Sequence, residues 1–403
     1  MLRFTLPRAV CYKEVGKGIT IIVLFWEGTL HKSATSPRIS SHYRDQDRIF
    51  VDAFTVLVQA IERHAFPCAS VAITHSGRLV ALKAFGRFSY DKKSPIVTPE
   101  TVFDLASVSK VLATTSMAMI LYERGLLDLD APVTGIVPEF AGEDPQRRDV
   151  TFRMLLAHSS GLPAHEKLYL HSQSREELVL EALRVPLKTS PGTQVEYSDI
   201  GFIVLGLALE RVTEEPLDVF CQREVFGPLG MSQTAFNPPA ARKSYIPPTA
   251  DDRIFRKRVI QGEVFDENAS VMGGVSPQAG VFSTAFDTAL FAEVMSNGGT
   301  PIVRPETLAI FTRRETSPAG TSRALGWDTP STPSQSGKYF SSSSYGHLGY
   351  TGTSLWIDPE RHLSVTLLTN RTWPDCSNHA IREVRPRFHD AVVEVLGDRV
   401  VGR

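Results

Sequence analysis

The chain has 403 residues, 42% hydrophobic and 22% charged, with a formal net charge of −1; this suits a soluble globular protein of one large domain or two smaller ones and excludes a disordered chain. The near balance of charge gives no footing for a nucleic-acid or polyanion partner. Cys11, Cys68, Cys221 and Cys376 lie far apart with no Cys-x-x-Cys pair, which fits neither a zinc site nor a disulfide framework, and no apolar run reaches the roughly 18 residues that cross a bilayer.

Residues 19–26 are apolar and follow Lys13 and Lys17. They read either as a short signal-peptide core, without a clear small-residue cleavage site, or as a strand. Residues 1–44 are expected to form a peripheral N-terminal extension, with a cytoplasmic location favoured and export through this segment left open. Residues 43–63 carry Ile49, Phe50, Phe54, Leu57, Val58 and Ile61 on one side of an amphipathic helix. Residues 67–74 and 78–85 are β-type runs joined by His75-Ser76-Gly77, a hairpin signal. A helix is expected from Ser107 to Glu123, a stretch without Gly or Pro.

Helices are expected next at 151–158, after a capping box at Ser174-x-x-Glu177, and at 200–212 and 217–226. Pro238, Pro239, Pro247 and Pro248 mark irregular chain; Gly273, Gly274 and Gly280 flank a glycine-rich loop; Thr284-x-x-Asp287 caps a helix that ends at Asn297. A short helix at 305–313 precedes strands at 324–327, 345–350, 354–357 and 363–368, the last two linked by a turn at 358–361. A closing helix at 378–396 is interrupted by Pro386. The reading is an α+β fold. An antiparallel sheet built from both chain ends (45–125 and 270–403) is flanked by helices, with a mostly helical region inserted at 126–269.

Three stretches carry chemistry. Ser107 and Lys110 share a helix face, so alcohol and amine can meet. The serine needs a base, and the amine can serve only if burial or nearby positive charge pulls its pKa down. Spacing alone also fits a helix cap with a solvated lysine, and Ser89-x-x-Lys92 repeats the pattern in a segment that cannot start a helix. Tyr197 and Asp199 sit on a loop before the 200–212 helix; the phenol can relay protons, or else Tyr197 packs and Asp199 caps the helix. Tyr43-x-Asp45 has the same spacing. Residues 345–353 form a glycine-bearing strand in which His347 and Gly349 can meet a substrate and aim an N–H at its carbonyl, or in which His347 is merely packed.

The order Ser-x-x-Lys, Tyr-x-Asp, His-x-Gly resembles the serine β-lactamase and penicillin-binding-protein superfamily, on the side of the class C β-lactamases and their esterase relatives, over roughly residues 45–396. The segments 155–163 (LLAHSSGLP), 197–202 (YSDIGF), 226–231 (FGPLGM), 266–269 (DENA) and 279–284 (AGVFST) support it. The resemblance implies a β-lactamase/transpeptidase-like fold in which Ser107 is acylated and Lys110 and Tyr197 share the proton transfers. The backbone N–H groups of Ser107 and Tyr350 would form the oxyanion hole, and Asp199, His347 and Gly349 would meet the substrate. It implies no metal or organic cofactor.

Two departures bear on the substrate. The family's third motif usually opens with lysine, which holds a carboxylate, and here it is His347; the second usually ends in asparagine, and here it is Asp199, which repels an anion or pairs with Lys110. Both point to neutral esters or substrates with an amino group. The expectation is a serine hydrolase on small esters, with β-lactam or D-amino-acid peptide and amide hydrolysis as the alternative. A non-catalytic scaffold on the same fold is the reading from another class. A zinc enzyme using His158, His165 and His171 is disfavoured, because they lack ligand spacing on one helix face.

Overall fold

A strand covered on both faces needs apolar or small residues at every position, and LSVTLLT at Leu363–Thr369 supplies them. The computed structural model describes residues 10–14, 19–23 and 39–400. Its main sheet has six strands, β1 (Ser40–Ser41), β2 (Cys68–His75), β3 (Arg78–Gly86), β4 (Tyr345–Leu348), β5 (Ser354–Asp358) and β6 (Leu363–Thr369), in the order β4-β5-β6-β2-β3-β1. All neighbours are antiparallel except β1 and β3. The two chain ends meet where β6 pairs with β2, Val365 opposite Ile73 and Leu367 opposite Val71.

Those four side chains point to one face, where they pack with Phe54 and Leu57 of the helix Val51–Glu62 and with Phe388 and Val392 of the helix Ile381–Val400. Ala72 and Leu368 point to the other face and join a larger core. That core runs through the helix Ala285–Ser296 into the helical region, including Leu155, Phe202 and Leu205. Period-2 alternation thus gives the sheet two apolar faces.

The expected caps are present: Ser174 Oγ accepts from Glu177 N–H, Gln173 N–H donates to the Glu177 carboxylate, and Thr284 caps Asp287. Three expectations are corrected. Residues 324–327 form a turn closed by an isolated bridge between Arg323 and Asp328 rather than a strand. The closing helix begins at Ile381 and runs through Pro386. Pro248–Asp252 and Arg258–Gln261 form a hairpin inside the stretch read as irregular.

At the N-terminus Val10–Glu14 pairs antiparallel with Ile19–Val23, so the apolar run at 19–23 is a strand; residues 24–26 lie outside the described residues. This hairpin belongs to one unit, Met1–Thr35, and the rest of the chain, Ser36–Arg403, to another. No helix among the described residues is long and apolar enough to cross a membrane.

Candidate active site

Phe103–Asp104 pairs with Val281–Ser283, Phe282 opposite Asp104, and this anchors the chain just before Ser107. Leu105 N–H donates to Val281 O at 3.0 Å, and Val281 N–H donates to Ser109 Oγ at 3.0 Å. Between them Ala106 takes φ 47°, a left-handed conformation that costs an L-residue about 1–2 kcal/mol. Asp104 holds it there, its Oδ1 accepting from Ala106 N–H at 2.8 Å and its Oδ2 from Phe265 N–H at 2.6 Å.

Ser107 lies in a 3-10 turn, Ala106–Val108, followed by a π-helical segment, Lys110–Thr115, before the regular helix Ser116–Glu123 begins. The unbroken α-helix expected from Ser107 is corrected accordingly. Ser109, Lys110 and Thr114 all bond outward to the 277–281 loop, Thr114 Oγ1 donating to Pro277 O at 2.7 Å. Those bonds compete with regular i→i+4 winding, and π turns recur at functional sites.

Burial pushes the Asp104 carboxyl up to about 6, against the two N–H donors. The folded state therefore binds this proton more tightly than the unfolded chain, and stability falls as pH rises from about 4 to 6. Asp104→Asn should flatten the dependence of Tm on pH across that window and lower kcat/KM through loss of one N–H anchor. Thermal melts of both proteins from pH 4 to 7 check this.

Lys110 is fully buried, and its Nζ donates to Ser107 Oγ at 3.1 Å, Asp199 Oδ1 at 2.6 Å and Gln278 O at 2.9 Å. All three ammonium protons are used. Burial alone pulls the amine down, but the Asp199 carboxylate and the Tyr197 phenol outweigh it and raise it above lysine's ordinary value. Burial thus acts on this amine as the sequence reading requires, but Asp199 works against it. Of the roles open to Asp199, pairing with Lys110 is the one formed here; its side chain does not line the pocket beside Ser107.

Tyr197 faces the same pair, its ring centre 4.9 Å from Lys110 Nζ. Burial raises the phenol's pKa, while Lys110 and Ser107 pull against it. Its hydroxyl is buried beside both, with no hydrogen bond of regular geometry among the described residues. The loop that carries it is zipped to 158–164. Glu196 N–H donates to His158 O at 2.9 Å, Ser198 N–H to His158 Nδ1 at 2.9 Å, Ser198 Oγ to Pro163 O at 2.7 Å and Asp199 N–H to Ala164 O at 2.9 Å. His158 is held neutral by burial and by the charges of Arg323 and Lys110.

The three histidines named as zinc ligands differ in place: His158 supports the Tyr197 loop, His165 Nδ1 lies 4.0 Å from Asp199 Oδ2, and His171 is exposed after the 3-10 turn Leu168–Leu170. His165, Asp199 and Asp266 bring ligand-capable atoms within 4.8 Å of one another. However, Asp199 is engaged by Lys110, and Asp266 caps Ala269 N–H.

Ser107, Tyr197, His347, Gly349 and Tyr350 line one cavity of about 270 Å³. His347 is buried and kept neutral by burial and by Lys110 and Arg323; its Nδ1 lies 2.8 Å from Leu348 O, and its Nε2 has no partner among the described residues. The backbone N–H groups of Ser107 and Tyr350 have no protein acceptor among the described residues.

Gly349 lines this cavity and is at the same time a packing position. Its N–H donates to Thr353 O at 2.8 Å, and a Cβ there would stand 1.9 Å from Thr353 Oγ1 and 2.4 Å from Leu105 O. Thr353 and Thr351 Oγ1 atoms donate to Leu105 O and Asp104 O, both at 2.8 Å, so this turn ties β4 to the segment just before Ser107. Gly349→Ala should therefore cost about 1–3 kcal/mol by overpacking and lower turnover by shifting Leu105, as a denaturant melt and an ester assay on the same sample would reveal.

Four further residues of this cavity wall went unread in the sequence: Arg323, Arg371, Arg382 and Arg385. Arg323 pairs with Asp328. The others come from after β6 and from the closing helix, and no sequence motif joins them. They add positive charge to the wall of this pocket, beside a neutral His347.

The chain matches the Beta-lactamase family model over residues 53–385. It is 33% identical over 357 residues to the N-acetylmuramyl-L-alanine amidase of Bacillus subtilis (strain 168), covering 78% of this chain and 80% of that one. A putative D-alanyl-D-alanine carboxypeptidase of Salmonella agona (strain SL483) is 32% identical over 352 residues, covering 78% and 81%. Among solved structures, EstCE1, a hydrolase with promiscuous acyltransferase activity, superposes with a TM-score of 0.71 at 24% identity, over 86% of this chain and 99% of that one, a likeness of fold. With the family model spanning most of its length and relatives at this identity, the chain belongs to the beta-lactamase family, within the serine β-lactamase and penicillin-binding-protein superfamily.

Proposed function

We propose that the protein is a serine hydrolase that forms an acyl-enzyme on Ser107 and acts on small esters. The carrying observation is the buried Lys110 Nζ held 3.1 Å from Ser107 Oγ and 2.6 Å from Asp199. Ser107 Oγ attacks the carbonyl carbon as its proton passes to Lys110, while Lys110 gives one of its own protons to the Asp199 carboxylate. The ammonium is thus regenerated, and the charge ends on the tetrahedral oxygen. The free N–H groups of Ser107 and Tyr350 are the donors available to that oxygen.

Tyr197, kept protonated by burial, gives its proton to the leaving oxygen, and the proton stored on Asp199 passes through Lys110 to the Tyr197 phenolate. Water then opens the acyl-enzyme by the same route in reverse. The Tyr197 hydroxyl, without a hydrogen bond of regular geometry among the described residues, and the unpartnered His347 Nε2 support this reading, since a bound substrate can satisfy both.

Esters need the least help to their leaving group and are the first substrate class. Amide hydrolysis is the second, favoured by the 33% identity to a protein named as an amidase. The scaffold reading would leave Ser107 unreactive. Wild-type protein should label with a fluorophosphonate probe and hydrolyse 4-nitrophenyl acetate. Ser107→Ala should do neither, with turnover at least 10³-fold lower. A folded wild type that never labels would favour the scaffold.

A further inference from the structure

Two cations stand over the Tyr197 ring. Lys110 Nζ lies 4.9 Å from its centre and the Arg323 guanidinium carbon 5.2 Å. Both are inside the ~6 Å at which a ring face attracts a cation. Lys110 belongs to the proton path described above, and Arg323 has no place in it. The other groups that face the phenol are Ser107, Asp199 and two neutral histidines, His158 with its ring centre 4.5 Å away and His347 with its own 5.9 Å away.

Arg323 sits on a turn that the backbone closes by itself. Ala324 N–H donates to Trp327 O at 2.9 Å, Thr329 N–H to Ser322 O at 2.9 Å, and Glu315 N–H to Arg323 O at 2.8 Å. Asp328 is pinned to β4 just ahead of His347: its N–H donates to Gly346 O at 2.8 Å, and Gly346 N–H donates to Asp328 O at 2.9 Å. The Arg323 and Asp328 side chains pair and are only 19% and 17% exposed. The ion pair is thus surplus to closing the turn, and it lines the cavity that holds Ser107 and Tyr197. A guanidinium held on its edge by a carboxylate keeps its flat face for an aromatic ring.

The charge of Arg323 reaches the whole cluster. After burial it is the strongest influence keeping His158 neutral, and it joins Lys110 in keeping His347 neutral. A cation this close to a phenol favours the phenolate. The phenol then gives its proton more readily to a departing oxygen, which matters most when the alcohol expelled is weakly acidic.

We propose that Arg323 is a positioning residue for Tyr197: it fixes the ring and strengthens the phenol as an acid, and so sets how poor a leaving group the site expels. This deepens the hydrolase reading and rests on it. The substrate class it names is alkyl and unactivated aryl esters, whose alcohols leave only with a proton.

The test compares the acetates of 4-nitrophenol, phenol and ethanol. All three give the same acetyl-enzyme, so differences in kcat/KM lie in the step that expels the alcohol. Arg323→Met is expected to lower kcat/KM by no more than about 2-fold on 4-nitrophenyl acetate and by about 10-fold on ethyl acetate, with phenyl acetate between them. Arg323→Lys keeps a charge at the ring and should recover most of that loss. Adding Asp328→Asn to Arg323→Met removes the carboxylate left unpaired, which protects the fold, and should keep the same pattern. An equal fall on all three acetates, or Arg323→Lys no better than Arg323→Met, overturns this role and leaves the hydrolase reading standing. A wild type that hydrolyses none of the acetates overturns both.

Discussion

Lys110→Met is expected to lower kcat/KM on 4-nitrophenyl esters by about 10³-fold, within the range for a lost proton-transfer group. Methionine fills the buried space but carries no proton and leaves Asp199 without its cation, so stability should also fall by about 3 kcal/mol. Lys110→Arg separates the two effects. A guanidinium keeps the charge beside Asp199 but does not give up its proton near neutral pH. The arginine variant should recover much of the lost stability and little of the activity. Activity near wild type in Lys110→Arg would mean that Lys110 supplies charge alone and that the proton leaves Ser107 by another route.

Asp199→Asn is the second large change, and its signature lies in the pH profile. In the proposed mechanism the active form is the ammonium–carboxylate pair, whose components are 2.6 Å apart. Asparagine accepts a hydrogen bond but not a proton. The first effect is loss of the proton store, a drop in kcat of about 10²-fold at pH 7. The second is on Lys110. Without the carboxylate that raises it, burial dominates and its pKa falls.

The variant is active only with the amine neutral, so its rate should climb with pH through the lysine's new pKa. The wild-type rate should be flat over the same range. Profiles of kcat/KM from pH 5 to 10 decide this. Superimposable profiles would remove Asp199 from the proton path.

The sheet was legible because its strands announce themselves: 67–74 and 78–85 are runs of apolar and β-branched residues around a Ser-Gly turn, and they form β2 and β3 almost residue for residue. The caps at Ser174 and Thr284 were legible because capping is local chemistry. The 248–261 hairpin was not, since Pro247, Pro248 and a charged tip hide any alternation. Nor was the π-helical segment at Lys110–Thr115, which arises from bonds to a loop about 165 residues away in sequence.

The site divides along the same line. Ser107, Lys110 and Tyr197 were found by motif order, and they converge. The pairing of Asp199 with Lys110 was one of two options, and only the fold shows that the two side chains meet. Gly349 was legible as a close-approach glycine, and the backbone that approaches it is Leu105. The arginine wall had no local signal at all: Arg371 follows β6, and Arg382 and Arg385 sit on a helix that reads as a plain closing element.

The central claim is that the Ser107 oxygen carries the acyl group. Wild-type protein mixed with 4-nitrophenyl acetate, quenched in acid at times shorter than one turnover and weighed intact, should gain one acetyl group, mapped by proteolysis to the peptide that contains Ser107. Turnover with no adduct at any quench time, or an adduct of the same yield in Ser107→Ala, would contradict it.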